Sequence, residues 1–427
     1  MRTFFGAIRG WGFAAICLLA AGAVLCFETL SDSAISGKGL IRCHPEDVGL
    51  LSARMVHIDE AVETAVKARE LPGAVVAVAR HGRIAYFKAF GNRSVQPETE
   101  PMTADTIFDM SSLTKIMATT PSIMLLVEKG ALRLADPVQR YLPKFSGEGK
   151  DRITISELLT HYSGLPADFN LAREWFGREA ALEELWSVKA DSKPGSKFRY
   201  SDINFIALGE IVHALTGKTL DVFAKENIFL PLGMTDTCFN PGKMLKGRIA
   251  PTESRAKSLS YLNGKPHGES GNEILRGEVH DPTAWRMGGV AGHAGLFSTA
   301  RDLAIYAQML LDQGVYGGRR ILSSQTVRTM AARQSPVNSS QIRGYGWDLD
   351  SDYSSPRGDI FKGGYGHTGF TGTSLWIHPP TDTFVIVLSN RVHPAGGQSI
   401  NHLRAAVANV VAAAISDSAE YNSGPEQ

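Results

Sequence analysis

Residues 108–117 read FDMSSLTKIM and place Ser112 and Lys115 three positions apart at the start of an apolar stretch. Residues at this spacing lie on one face of a helix, so a helix beginning at Ser112 would bring the Lys115 ammonium beside the Ser112 hydroxyl. The helix dipole and the lysine would both favour negative charge on that oxygen, and Pro121 is expected to kink or end this helix. The stretch predicts a nucleophilic serine, with an N-cap serine and a solvated lysine as the ordinary alternative.

A second polar motif, Tyr200-Ser201-Asp202, comes just before a helix expected to start near Asn204. A loop before a helix can set a phenol and a short polar side chain side by side in a cleft. Tyr200 would act as a base only if its pKa fell well below about 10, which the Lys115 ammonium could bring about. Without Lys115 nearby, Tyr200 would be read as a packing residue.

The third motif, residues 367–372, reads HTGFTG and leads into a strand. Glycines beside a strand let a substrate backbone approach closely, and the amide of Phe370 can point into a cleft as an oxyanion donor. A glycine-rich hairpin turn is the alternative. The order SxxK, YxD, HTG along the chain favours one serine acyl-transfer site over three unrelated features.

Hydrophobic periodicity places these motifs in an α+β fold. It predicts helices over 52–70 and 400–415 and strands over 74–79, 84–90, 345–349, 371–377 and 383–388. From 106 to 312 the patterns are helical, with no strand-rich block. We therefore predict an antiparallel sheet flanked by the two terminal helices, with an inserted, mainly helical subdomain. The α/β part would span about 48–105 and 313–416, the helical part about 106–312, and a polar tail 417–427.

The first 34 residues have the layout of a signal peptide or a signal anchor. Arg2 and Arg9 precede an apolar run over 11–27, which is short for a membrane-spanning helix, so we favour cleavage over anchoring. The lipoprotein alternative at Cys26 lacks the small residues expected before it. We expect an exported protein, periplasmic or extracellular, that associates with the membrane only if this segment is retained.

The composition is that of a globular protein with a large core, because 43% of its 427 residues are hydrophobic and 20% charged. A formal net charge of +1 and the absence of a basic run give no support for nucleic-acid binding. Cys43 and Cys238 could pair in an oxidising compartment or remain free thiols. His280, Asp281 and His293 match no compact zinc pattern, so we prefer a structural or cleft-lining role for them and predict no metal and no cofactor.

With these motifs identified, the sequence resembles the serine β-lactamase-related hydrolases, which include class C β-lactamases, low-molecular-weight penicillin-binding proteins and related esterases. The resemblance extends from about Val48 to about Pro394 and implies an acyl-enzyme on the SxxK serine. The residues that it assigns are, for catalysis, Ser112, Lys115 and Tyr200; for the oxyanion hole, the amides of Ser112 and Phe370; and for substrate binding, Asp202, His367, Thr368 and Gly369.

Two residues depart from the class C pattern, which has Asn in place of Asp202 and Lys in place of His367. A carboxylate lacks the donor of an amide, and a histidine is neutral over much of the physiological range, so efficient β-lactamase activity is not expected. Residues 277–281 and 288–298 resemble a narrower branch that contains muramyl-peptide amidases and a carboxypeptidase-type penicillin-binding protein. The resemblance therefore implies a small-molecule or peptide substrate derived from the cell wall.

Two alternatives to such a peptidase remain open at the level of sequence. One is an esterase or weak β-lactamase that uses the same site. The other is a catalytically silent binding or regulatory module that keeps the fold, since one fold hosts many functions. The sequence indicates no oligomeric state.

Overall fold

The computed structural model describes residues 40–265 and 271–416. The signal segment over 1–34 and the polar tail over 417–427 lie outside these residues. In the described part, no helix is both long and apolar enough to cross a membrane. Cys43 and Cys238 are both free thiols.

The strands lie mostly near the two ends of the described chain. They are β1 (Ile41–Arg42), β2 (Gly73–Arg80), β3 (Arg83–Ser94), β4 (Glu100–Pro101), β5 (Phe108–Asp109), β6 (Cys238–Phe239), β7 (Leu296–Ser298), β8 (Val315–Tyr316), β9 (Arg319–Arg320), β10 (Ile342–Arg343), β11 (Asp348–Asp350), β12 (Tyr365–Thr368), β13 (Ser374–His378) and β14 (Thr383–Ser389).

The α-helices are concentrated between these two groups of strands. They are α1 (Ser52–Lys67), α2 (Thr120–Glu128), α3 (Ile155–Thr160), α4 (Arg178–Ser187), α5 (Asp202–Thr216), α6 (Leu220–Ala224), α7 (Leu230–Leu232), α8 (Arg255–Ser260), α9 (Pro282–Arg286), α10 (Ala300–Leu311), α11 (Ser324–Ala331) and α12 (Asn401–Ala414). Two short segments, Lys115–Thr119 and Lys225–Phe229, are π-helical.

Within the described residues, the main sheet has nine strands in the order β1-β3-β2-β14-β13-β12-β11-β10, with β4 paired to β3. All of these pairs are antiparallel except β1 with β3. The β2–β3 hairpin turns at His81 and Gly82, whose φ angles of 52° and 71° are those of a tight two-residue hairpin turn. The sheet therefore joins the early hairpin to the late strands, as predicted.

The main sheet is covered on both faces, which is why its central strands read as continuous apolar runs. Alternate residues of β2 point to opposite sides: Val75, Ala77 and Ala79 enter the core that contains α10, whereas Ala74, Val76 and Val78 enter the core formed with α1 and α12. The predicted α+β architecture, with the two terminal helices packed on the sheet, is confirmed.

Three predictions about strands need correction. The strand expected from residue 345 begins only at Asp348, because Gly346 has a φ of 76° and turns the chain. The strand expected from residue 371 begins at Ser374, because the preceding residues form a turn. The helical middle also contains a small sheet, β5-β7-β6, whose strands of two or three residues are too short to show alternation. The bounds of the two subdomains stay a prediction.

Candidate active site

Ser112 lies at the start of the helical segment that runs into α2. The amide of Lys115 donates to the Ser112 carbonyl at 3.0 Å, and the π-helical turn Lys115–Thr119 follows. The Thr120 amide donates to the Lys115 carbonyl five residues back, and Pro121 lies in the first turn of α2, where its missing N–H is tolerated. The helix therefore does not end at Pro121, because the wider turn carries it through to the proline, and a kink there stays a prediction.

Ser111, directly before the nucleophile candidate, has a left-handed backbone with φ of 48°. Its amide donates to Asp109 Oδ1 at 2.8 Å, and Asp109 Oδ2 accepts from the His280 amide at 2.7 Å. A non-glycine residue in this conformation needs such outside support. The Asp109 carboxylate thus fixes the bend that presents Ser112.

The Lys115 ammonium is fully buried and faces three acceptors. Its Nζ lies 3.1 Å from Ser112 Oγ, 2.9 Å from the His293 carbonyl oxygen and 2.6 Å from Asp202 Oδ1. An ammonium has three donors, and two hydrogen-bond acceptors and one ion-pair partner lie within 3.1 Å of this one. The structure therefore brings the SxxK motif and the YxD motif together at one atom.

The charge state of this lysine follows from the balance of burial and partners. Burial lowers the pKa of Lys115, but the Asp202 carboxylate and Tyr200 raise it more, so the net pKa is raised above its ordinary value. Lys115 is therefore an ammonium at neutral pH. A carboxylate at position 202 stabilises that charge, which a neutral amide would do only weakly.

Tyr200 lies between two other rings. Its ring stacks on His161, with centroids 4.3 Å apart, and on Tyr353, with centroids 5.2 Å apart. The Lys115 ammonium is 5.1 Å from the Tyr200 ring centroid. His161 Nδ1 also accepts from the Ser201 amide at 3.1 Å, so the histidine holds the backbone of the motif as well as the ring.

Tyr200 would act as a base only with a pKa well below its ordinary value, and the resting site does not meet this condition. Burial raises the pKa of Tyr200, and Asp202 raises it further, which outweighs the lowering by Lys115 and by the hydrogen bonds with Ser112 and Lys115. Tyr200 is therefore a neutral phenol at neutral pH. The neutral state of Tyr200 could not be foreseen from the motif alone, because the burial of the ring and the position of Asp202 depend on the fold.

The HTG turn is hydrogen-bonded to the segment that leads to Ser112. Thr371 Oγ1 donates to the Asp109 carbonyl at 2.8 Å, and Thr373 Oγ1 donates to the Met110 carbonyl at 3.1 Å. A Cβ on Gly369 would lie 2.1 Å from Thr373 Oγ1 and 2.8 Å from the Met110 carbonyl oxygen, so the close approach requires glycine. Thr368 ends β12 opposite Ser374, next to this turn.

The Phe370 amide, predicted as an oxyanion donor, donates to Ser111 Oγ at 3.1 Å. Its side chain is 44% exposed and contacts the rings of Tyr261 and His280. The amide thus lies close to the nucleophile segment, as expected. A substrate oxygen would have to take the place of Ser111 Oγ on that N–H, since one N–H serves one strong acceptor.

His367 lies on β12 beside Tyr200, with ring centroids 6.0 Å apart. Its Nδ1 donates to the Thr368 carbonyl at 2.8 Å. Burial, Arg343 and Lys115 lower the pKa of His367 well below its ordinary value. The neutral state that the sequence led us to expect at this position therefore has a physical cause in the fold.

The structure does not gather His280, Asp281 and His293 into one ligand set. His280 Nε2 lies 2.6 Å from Glu253 Oε1, whereas His293 Nε2 lies 2.8 Å from Asp281 Oδ1. Asp281 instead lies near Asp168 and Asp202, and oxygens of these three carboxylates are within 4.8 Å of one another. Sequence reasoning did not find Asp168, and no local motif marks it.

A surface depression of about 730 Å³ beside Arg54, Phe361 and His378 contains none of the residues assigned to the site. The chemistry is therefore located by the side-chain constellation around Ser112 and not by cavity size.

A buried lysine on the hydroxyl of a serine at a helix start, with a tyrosine and a glycine turn beside it, defines a serine hydrolase. The chain belongs to the Beta-lactamase family, whose model matches residues 58–409. A protein from Salmonella schwarzengrund called "Putative D-alanyl-D-alanine carboxypeptidase" is 32% identical over 406 residues, which cover 88% of this chain and 92% of that protein. A protein of the same name from Salmonella typhi matches equally well.

Solved structures share the fold at low sequence identity. A penicillin-binding protein homologue from Caulobacter crescentus superposes with a TM-score of 0.68 at 19% identity and covers 86% of this chain and 99% of its own. EstCE1, described as a hydrolase with promiscuous acyltransferase activity, gives a TM-score of 0.67 at 22% identity and covers 84% of this chain and 99% of its own. These similarities confirm the β-lactamase/transpeptidase-like fold.

Proposed function

We propose that this chain is an exported serine hydrolase that forms an acyl-enzyme on Ser112 and acts on amide bonds of peptidoglycan-derived peptides, as a D,D-carboxypeptidase or a muramyl-peptide amidase does. The contact that carries the proposal is the buried Lys115 Nζ, 3.1 Å from Ser112 Oγ. The name of the Salmonella relative, which refers to a D-alanyl-D-alanine carboxypeptidase, supports the proposal of a peptide substrate. The arginines and apolar run of the first 34 residues support export.

Attack of Ser112 Oγ on a carbonyl forms a C–O bond and releases the hydroxyl proton, which needs an acceptor. In the resting site Lys115 and Tyr200 are both protonated, so the pair must first lose one proton to solvent. The pair then takes the Ser112 proton and passes it to the leaving amine. Water repeats the same transfer when it releases the acyl group. The amides of Ser112 and Phe370 hold the oxyanion, and Asp202, His367, Thr368 and Gly369 line the substrate position.

Replacement of Ser112 with alanine tests the proposal. We expect Ser112→Ala to lower turnover at least about 10³-fold for every substrate of the wild type. The panel contains muropeptides, a D-Ala-D-Ala peptide, a chromogenic ester and nitrocefin. Ser196→Ala, a change at an exposed serine whose hydroxyl donates to the Lys193 carbonyl, is the matched control. Undiminished turnover by Ser112→Ala would reject the assignment.

Intact mass measurement gives an independent test of the covalent step. Incubation with a fluorophosphonate or penicillin probe should add one probe mass to the wild type and none to Ser112→Ala. An adduct on both proteins would place the nucleophile elsewhere. Fractionation of cells that express the full-length chain tests export, because a cytoplasmic protein would contradict that part of the proposal.

A second candidate, an esterase with the same site, is favoured by the neutral His367. The class C pattern has a lysine here, and its loss removes a charge that could bind a substrate carboxylate. An ester without a carboxylate does not need that charge. The same panel separates the two, since an esterase would turn over the chromogenic ester and leave both peptides intact.

A further inference from the structure

Three carboxylates lie behind the catalytic lysine, on elements distant in sequence. Asp168 is in the loop after α3, Asp202 begins α5, and Asp281 precedes α9. Oxygens of all three lie within 4.8 Å of one another. The side chains of Asp202 and Asp281 are each only 21% exposed, and Asp168 is half-buried. Three ionised carboxylates at this spacing repel one another strongly.

Two of these carboxylates have a partner that can carry a positive charge. Asp202 Oδ1 lies 2.6 Å from Lys115 Nζ, and Asp281 Oδ1 lies 2.8 Å from His293 Nε2. Asp281 Oδ1 also accepts from the Ala284 amide at 2.8 Å. Among the described residues, no ion pair involves Asp168. One negative charge therefore has no counterion.

The hydrogen bonds of Asp168 use one of its two carboxyl oxygens. Its Oδ1 accepts from the Phe169 amide at 2.6 Å and from Thr283 Oγ1 at 3.0 Å. These two bonds fix the side chain through one oxygen and leave Oδ2 for a proton. Burial lowers the pKa of His293, but Asp281 raises it more, so the net pKa of His293 is raised. With His293 protonated, a proton on Asp168 Oδ2 gives the five groups Lys115, His293, Asp168, Asp202 and Asp281 a net charge of zero.

We propose that Asp168 is a positioning residue that keeps its proton at neutral pH and donates it toward the neighbouring carboxylates, so that Asp202 remains on the Lys115 ammonium. The inference rests on the proposed role of Lys115 beside Ser112. Burial, Asp202 and Asp281 all raise the pKa of Asp168 well above its ordinary value, in agreement with the geometry. Other titratable groups that interact with the cluster are the neutral Tyr200, beside Asp202, and Arg255 and Asp109, which both interact with Asp281.

Two substitutions of Asp168 test this role through the pH profile. Asp168→Asn keeps the Oδ1 acceptor and supplies an N–H in place of the O–H, so the midpoint of the rising limb of kcat against pH should stay at the wild-type value. Asp168→Ala loses both the acceptor and the donor, and we expect kcat to fall with little change in KM. The fall should be about tenfold, because one hydrogen bond to a charged group is worth about that factor. A midpoint for Asp168→Asn shifted to lower pH would mean that Asp168 is ionised, and would overturn the proposal.

A second measurement does not depend on turnover, and it remains usable if Asp168→Ala folds poorly, because it uses only Asp168→Asn. The infrared difference spectrum of the resting wild type minus Asp168→Asn at pH 7 should contain a protonated carboxyl band. Its absence would overturn the proposal even if Ser112 proves to be the nucleophile. Its presence together with an inactive wild type would leave the protonated Asp168 in place and reject only the proposed function.

Two other partners could neutralise an ionised Asp168, a bound cation or a substrate ammonium, and each would give a different experimental result. A bound divalent cation would appear in elemental analysis of the purified wild type and be lost in Asp168→Asn. A substrate ammonium that pairs with Asp168 would raise KM in Asp168→Asn and leave kcat unchanged. Either result would overturn the proposal.

Discussion

Lys115 Nζ and Asp202 Oδ1 lie 2.6 Å apart, so the lysine that faces the nucleophile is paired with a carboxylate. The pairing raises the pKa of the lysine above its ordinary value despite burial. The same carboxylate raises the pKa of Tyr200, to which burial is the larger contributor. Asp202 thus shifts to higher pH the loss of the proton that Lys115 and Tyr200 must give up before the reaction.

The pH profile of Asp202→Asn should follow from this pairing. Removal of the negative charge lowers the pKa of both Lys115 and Tyr200, so the pair loses its proton at lower pH and the rising limb of kcat/KM against pH moves to lower pH. We expect a shift of at least about one pH unit, the equivalent of about 1.4 kcal/mol. Asp202→Glu, which keeps the charge, is the control. A limb that stays in place or moves to higher pH would contradict the assignment.

Exchange of His367 for lysine should alter substrate preference. A cation at this position would attract a substrate carboxylate, so the ratio of kcat/KM for a D-Ala-D-Ala peptide to that for an uncharged ester should rise about tenfold, or about 1.4 kcal/mol. Acylation itself should persist. His367→Gln, which is neutral like the buried histidine, should leave the ratio near the wild-type value. Loss of all acylation in a folded His367→Lys protein would show that His367 takes part in the chemistry.

Two substitutions of Ser111 should distinguish the free-energy cost of its left-handed backbone from the stabilisation that its hydroxyl provides. Ser111→Ala loses the bond from the Phe370 amide and should lower the free energy of unfolding by about 1 kcal/mol. Ser111→Gly loses the same bond but relieves the left-handed backbone, worth about 1–2 kcal/mol, so its stability should stay near that of the wild type. Denaturant unfolding measures both. In neither variant should kcat/KM drop, since the oxyanion amide loses a competitor; a drop above tenfold would give the hydroxyl a role in catalysis.

Tyr353 covers one face of the Tyr200 ring, and its removal should be visible in the pH profile. Tyr353→Ala lets water reach the phenol, which reduces the effect of burial and lowers the pKa of Tyr200, so the rising limb moves to lower pH. The lost ring contact should cost about 0.5–1.5 kcal/mol of stability. Tyr353→Phe keeps the stack and should match the wild type. An equal shift in both variants would point to the Tyr353 hydroxyl instead.

The sequence predicts those parts of the site that are local in the chain. Ser112 and Lys115 share one helical turn, and residues 367–372 run from the end of β12 into the turn that follows it, so spacing alone places each group. The order of the motifs and the family resemblance then predict that they meet. The order of the motifs and the family resemblance do not fix how the motifs are oriented relative to one another. The hydrogen bond from the Phe370 amide to Ser111 Oγ was therefore not foreseen.

The parts that sequence does not predict depend on packing between distant segments. Asp168 carries no motif, and the stretches that contain Asp281 and His293 do not predict that these residues meet it behind Lys115; only the fold brings them together. The protonation of Tyr200 has the same origin, since it is set by burial and by neighbouring charges. Proton affinities at such a site are a property of the tertiary structure.

The ring stack around Tyr200 has a practical consequence. Its outer member, Tyr353, is 41% exposed, whereas the inner phenol is in contact with His161 and Lys115. Ring currents and the charge of the inner ring act on the outer one at a centroid distance of 5.2 Å. The resonances of Tyr353 in a magnetic resonance spectrum thus provide an intrinsic reporter, through which the ionisation of the buried phenol can be followed without a label on any group that reacts.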